Sequence, residues 1–156
     1  MALTVSFYHL TLTPIEKVVP RLVDKIYASN MRAFIWVKND ETLSTLNTSL
    51  WTYSTLAFLP HGCKLDHDDA KDEQPIWLST TLENVNKSTV CVVTNEKVIP
   101  KADSLKFDRI LDIFDATSKT IDAEAVLLTE RIRFYEKQNA TITHWQQTKE
   151  GWQKLT

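Results

Sequence analysis

The sequence predicts a three-layer α/β/α domain with a mostly parallel central sheet, with residues 1–156 forming one unit. Three observations lead there. Short runs of β-branched and aromatic residues alternate along the chain with segments whose apolar residues recur at helical spacing, the pattern of strands joined by crossover helices. A length of 156 residues suits one hydrophobic core. Hydrophobic residues at 43% and charged residues at 24% are ordinary for a soluble globular chain.

Taken in order, TVSFYHL (Thr4–Leu10) reads as the first strand. Thr13-Pro14 offers an N-cap and a proline at the first helical position. Ile15, Val18, Val19, Leu22, Val23, Ile26 and Tyr27 then mark one helix face. Pro20 inside that helix is expected to kink it or shift its first turn, and Asn30 to end it as a left-handed cap. RAFIWVK (Arg32–Lys38) is the second strand. Asp40 is placed to cap a helix with Leu43, Leu46 and Leu50 on its apolar side, running to Trp51. PIWLST (Pro75–Thr80) and TVCVVTN (Thr89–Asn95) are apolar strands, and FDRILDIFD (Phe107–Asp115) is read as a strand rather than a short helix. A long helix covers Ile121–Gln138, its stripe formed by Ile121, Ala125, Leu128, Ile132 and Tyr135. Asn139 ends it, and ATITHWQQ (Ala140–Gln147) is the last strand.

Composition narrows the function. The formal net charge of −2 gives no global attraction to nucleic acid or anionic membrane. No run of 18 apolar residues occurs, so no membrane span is expected. The N-terminal MALTVSFYHLTLTP lacks a basic segment and reads as a strand rather than a signal peptide. Two cysteines, with Cys91 inside the apolar TVCVV, suit a reducing cytoplasm. Gly62 and Gly151 are the only two glycines, so neither glycine-rich phosphate-binding motif can be written, and nucleotide binding by those routes is excluded.

Three groups of residues invite a functional reading. LPHGCKLDHDDAKDEQP (Leu59–Pro75) gathers His61, Cys63, Asp66, His67, Asp68 and Asp69, ligand types without a familiar zinc spacing. The opposing reading is a polar, solvated loop. No nucleophile stands beside an oriented base; Asp112 with Asp115, or Asp68 with Asp69, are pairs that any globular chain offers. Trp51 and Phe58 flank a helix-to-loop transition, where aromatic side chains can be left outside the core as a protein-binding surface. Arg131, Arg133 and Lys137 on the last helix, with Lys119 at its start, are either a solvated face or a small basic patch for an acidic peptide.

The order of several blocks resembles the chi subunit family of bacterial DNA polymerase III. They are FYHL (Phe7–Leu10), KIYASNMRAFIWV, LWTYSTLAFLPHG (Leu50–Gly62), FDRILDIFD, RIRFYEKQN (Arg131–Asn139) and THWQQTKEGWQK (Thr143–Lys154), and they span nearly the whole chain. The resemblance implies a nucleotide-binding-like α/β topology without a phosphate loop, no catalysis, no metal and no cofactor. It implies two partners: the psi subunit of the clamp loader, and the acidic, apolar C-terminal tail of single-stranded DNA-binding protein. It also implies a place in the bacterial cytoplasm, at the replisome. The psi-binding positions that match are Trp51 and Phe58, with Leu56, Pro60 and His61 beside them. For the tail, the family's arginine, aromatic and basic residue fall on Thr129, Ile132 and Arg133. Arg133 keeps its charge, whereas Thr129 and Ile132 depart from the pattern. Arg131 and Tyr135 match the surroundings, and Arg131 or Lys137 would take the peptide carboxylates. Two other readings stand beside this one: an adaptor for another replication or repair partner such as a helicase, and a metal-dependent hydrolase centred on His61–Asp69.

Overall fold

The computed structural model describes residues 3–53, 59–64, 71–94, 97–100, 103, 106–115 and 121–155. Eight strands form one sheet: β1 (Thr4–Leu10), β2 (Ala33–Trp36), β3 (Gly62–Cys63), β4 (Ile76–Ser79), β5 (Val90–Val93), β6 (Arg109–Asp115), β7 (Thr141–Thr148) and β8 (Gly151–Lys154). Their order is β3-β4-β2-β5-β6-β1-β7-β8. Every pairing is parallel except β7 with β8. Helices α1 (Ile15–Ala28) and α2 (Asp40–Thr52) cover one face and α3 (Ile121–Glu136) the other. Parallel strands covered on both faces read as continuous apolar runs, hence IWLS in β4 and VCVV in β5, buried at every position. Among the described residues no helix is long and apolar enough to cross a membrane.

The helix ends depart from the sequence reading in small, explicable ways. Pro14 is the N-cap of α1 and makes no side-chain cap bond. Thr13 instead lends its hydroxyl oxygen to the Gln147 side-chain amide of β7 at 2.5 Å. Pro20 is buried, and α1 runs through it from Ile15 to Ala28. At α2 the cap is Asn39, one residue before Asp40; its Oδ1 accepts from the Thr42 amide at 2.8 Å. Asn30 and Asn139 take positive φ, 61° and 59°, as left-handed caps. The Met31 amide then reaches back to the Ile26 carbonyl (3.2 Å), and Ala140 to Tyr135 (3.3 Å). The last helix ends at Glu136, two residues early, because Gln138 and Asn139 close tighter turns onto Tyr135 and Glu136.

Two strands were not foreseen. Cys63, expected in a solvated loop, is buried in β3 beside Leu78. The polar GWQK forms β8, reached through a turn where Gly151 takes φ 128°, a region that other residues rarely adopt. Trp152 on β8 stands edge-on to Tyr8 at 5.4 Å.

At the end of β1, His9 stacks on His144 of β7 at 5.7 Å and meets Phe114 edge-on at 5.5 Å. Burial, and secondarily the neighbouring His9, hold the His144 imidazole below its ordinary pKa of 6.5. The folded protein therefore binds this proton less readily than the unfolded chain. Stability is full above about pH 6.5 and falls as acidification carries the solution through the folded pKa. A His144→Gln variant is expected to show a shallower loss of urea midpoint below about pH 6.5 than the parent. Parallel midpoint curves would remove His144 from the acid response.

Candidate functional site

The sequence pointed to two surfaces, and the fold positions them differently. The first forms where α2 ends and β3 begins. Leu43, Leu46 and Leu50 bury one side of α2, and Trp51, one residue on, turns about 100° away from it. Trp51 is therefore 51% exposed at the end of the helix. The outer face of α2 is polar: the hydroxyls of Thr45, Ser49 and Thr52 each donate to the carbonyl four residues back.

The PHG turn supports Trp51 from below. His61 is buried and its ring lies 4.2 Å from that of Trp51, tilted by 46°. His61 Nδ1 sits 2.7 Å from the Leu59 carbonyl oxygen. A carbonyl only accepts, so Nδ1 carries the proton and the ring orientation is fixed. Gly62 is required by close approach: a Cβ there would lie 2.7 Å from Cζ3 of the buried Trp77. Leu59 is buried and Pro60 is half-buried. Lys64 then ties the turn to the start of α2 through a 2.8 Å ion pair with Asp40. Leu56 and Phe58, the remaining residues assigned to this surface, lie outside the described residues, as do Asp66, His67, Asp68 and Asp69 of the metal reading. His61 and Cys63 face into packed structure, and among the described residues no group of three or more potential ligands is placed to hold a metal.

The second surface is α3. Arg131 was assigned to a peptide-binding face, but its guanidinium is buried. It forms a two-pronged ion pair with Asp112 of β6, with Nε to Oδ1 at 3.3 Å and Nη2 to Oδ2. Its Nη2 also donates to the Lys97 carbonyl at 2.9 Å. Tyr135 is likewise buried: its hydroxyl accepts from the Ile99 amide at 3.0 Å, and its ring packs against Phe7 and Phe134. Burial, then the Asp112 charge, push the Tyr135 phenol upward; the Cys91 thiol is raised by the same two causes. Leu128, Arg131 and Tyr135 thus form the inner face of α3. Ala125, assigned to that face, is exposed, and Ile132 is only partly buried.

What remains outside is a stripe of Val126, Thr129, Arg133 and Lys137, at steps that keep one helical face to solvent. Val126, 57% exposed, was missed in the sequence reading. Its position three before Thr129 and seven before Arg133 is the signal that places it there. Thr129 donates its hydroxyl to the Ala125 carbonyl at 2.7 Å, leaving the oxygen lone pairs outward. The stripe has an apolar end and a cationic end, with Glu130 and Glu136 exposed at its side.

Comparison with known proteins matches residues 3–143 to the family described as DNA polymerase III chi subunit, HolC. The chain is also 36% identical over 115 residues to a protein of Rickettsia prowazekii (strain Madrid E) named probable DNA polymerase III subunit chi, covering 70% of this chain and 68% of that protein.

Proposed function

The chain belongs to the DNA polymerase III chi subunit family, and from that premise we propose that it is a non-catalytic adaptor within this DNA replication assembly. In this reading it joins a psi-type component of the clamp loader to the C-terminal tail of single-stranded DNA-binding protein. It acts as one domain in the cytoplasm, without cofactor. The observation that carries the reading is Trp51: a large aromatic ring, half exposed, held from below by a fixed histidine. An aromatic anchor of that kind suits a partner hydrophobe better than it suits water. Half-buried Pro60 follows in the same turn, and Leu56 and Phe58 are proposed as further residues of the partner interface.

The tail is assigned to the outer stripe of α3. Arg133 and Lys137 would take its carboxylates by charge-assisted hydrogen bonds, while Val126, Thr129 and the edge of Ile132 would accept its apolar end. Arg131 and Tyr135 support this surface from inside without touching the peptide.

The test is capture of partners from the native cell by the tagged chain. Clamp-loader subunits and single-stranded DNA-binding protein are expected together. Truncating the binding protein's last residues, or introducing Arg133→Glu, should remove only the latter, and the effect of Arg133→Glu should be larger at low salt. Capture of a helicase with no clamp-loader subunit would replace this reading with that of a different adaptor.

A further inference from the structure

A groove of about 430 Å³ lies between α1 and the β7–β8 hairpin, on the sheet face opposite α3. Lys17, Arg21 and Lys25 line it along α1. They are four residues apart, so their side chains leave the helix about 6 Å apart along one stripe. All three are exposed, and among the described residues none is paired with a carboxylate. Beneath them the lining is apolar, from Val18 and Leu22 of α1 and Trp152 of β8. The far wall is firm: Gln147 accepts from the Leu12 and Thr13 amides at 3.0 and 3.1 Å. Asp24 also lines the groove, receiving the Tyr53 hydroxyl at 3.4 Å.

We propose that this groove binds an extended acidic peptide carrying a large apolar side chain. Alternate residues of an extended chain are about 6.6 Å apart, so carboxylates on alternate positions meet successive cations of the stripe. The intervening apolar side chain enters between Leu22 and Trp152. Asp24 accepts the Tyr53 hydroxyl and keeps further acceptor capacity, which the N–H groups of a peptide backbone can use. A DNA sugar–phosphate backbone offers Asp24 no donor, and the formal net charge of −2 gives no general attraction for nucleic acid. The occupant is therefore a peptide rather than a single-stranded nucleic acid. Because α1 and α3 cover opposite faces, this groove and the α3 stripe can be filled independently.

The experiment is a titration of the full chain with a capped peptide of alternating aspartate and phenylalanine, followed by amide chemical shifts and calorimetry. Shifts are expected in Lys17–Lys25 and Gly151–Lys154. Arg21→Glu, an exposed change whose melting curve should match the parent, is expected to weaken binding about tenfold, the effect of losing one hydrogen bond to a charged group. Arg133→Glu should leave this affinity unchanged. The proposal is overturned by absence of binding, by shifts centred on α3 or Trp51, or by an unaltered affinity of the Arg21→Glu chain. Tighter binding of an oligodeoxythymidylate than of the peptide at this face would overturn it as well.

Discussion

Replacing Asp112 by alanine is expected to lower stability by about 3–5 kcal/mol, because it leaves the Arg131 guanidinium buried without its counter-charge. Asp112 is fully buried and Arg131 is 5% exposed, so water cannot substitute for the lost carboxylate. Two guanidinium nitrogens bond to the carboxylate, and Nη2 also donates to the Lys97 carbonyl. The pair joins β6, inside the sheet, to the middle of α3, so its loss strikes where the helix is seated. Asp112→Leu combined with Arg131→Met is expected to cost far less than either change alone, since apolar side chains of similar volume remove both charges together. Urea unfolding at neutral pH measures the parent, Asp112→Ala, the two apolar single variants and their combination. A single-variant loss below about 1 kcal/mol would show that the pair is solvated in solution. The same reasoning bears on function: an Arg131 variant that fails to bind a tail peptide would report a displaced α3, whereas Arg133 changes the surface and leaves the seating intact.

The buried pair was visible in the sequence, in a form that is easy to misread. Within FDRILDIFD, the apolar run Ile110–Phe114 has one carboxylate, Asp112, at its centre. On α3, Arg131 stands three residues after Leu128 and four before Tyr135, on the apolar stripe itself. One charge embedded in each of two apolar patterns signals two groups that must meet, since neither can be buried alone. Reading the arginines of α3 by charge rather than by helical phase put Arg131 on the wrong side. Other departures have humbler causes. Asn39 and Asp40 are both good caps, and the sequence does not rank neighbours. A two-residue strand such as β3 has no period to detect, and the polar β8 has no apolar alternation because one β7 edge is all it pairs with. The long apolar strands and the asparagine caps were legible because burial on both faces and positive φ each impose a narrow choice of residues. The exposure of Trp51 follows from phase once Leu43, Leu46 and Leu50 are recognised as the buried side of α2.

That exposure sets up the largest expected effect on binding. Trp51→Ala is expected to weaken association with the psi-type partner by about 2 kcal/mol or more, roughly thirtyfold, while moving folding stability by less than about 0.5 kcal/mol. The two effects separate because half of the indole already faces water, so folding gains little from it, whereas a partner would desolvate the exposed part. The ring is also held in place. His61 is fixed by the Leu59 carbonyl, and the His61 ring limits how far the indole can turn, so little side-chain freedom remains to be lost on binding. His61→Ala should therefore weaken the partner without touching it, by releasing Trp51. A double-mutant cycle over Trp51 and His61, read in partner affinity, is expected to be non-additive, because His61 acts on the partner only through the Trp51 ring. Calorimetry with the purified partner and urea melts of the free chain supply both halves of the measurement. Unchanged affinity of the Trp51→Ala chain would remove this surface from the partner interface. Equal losses of affinity and stability would make Trp51 a core residue after all.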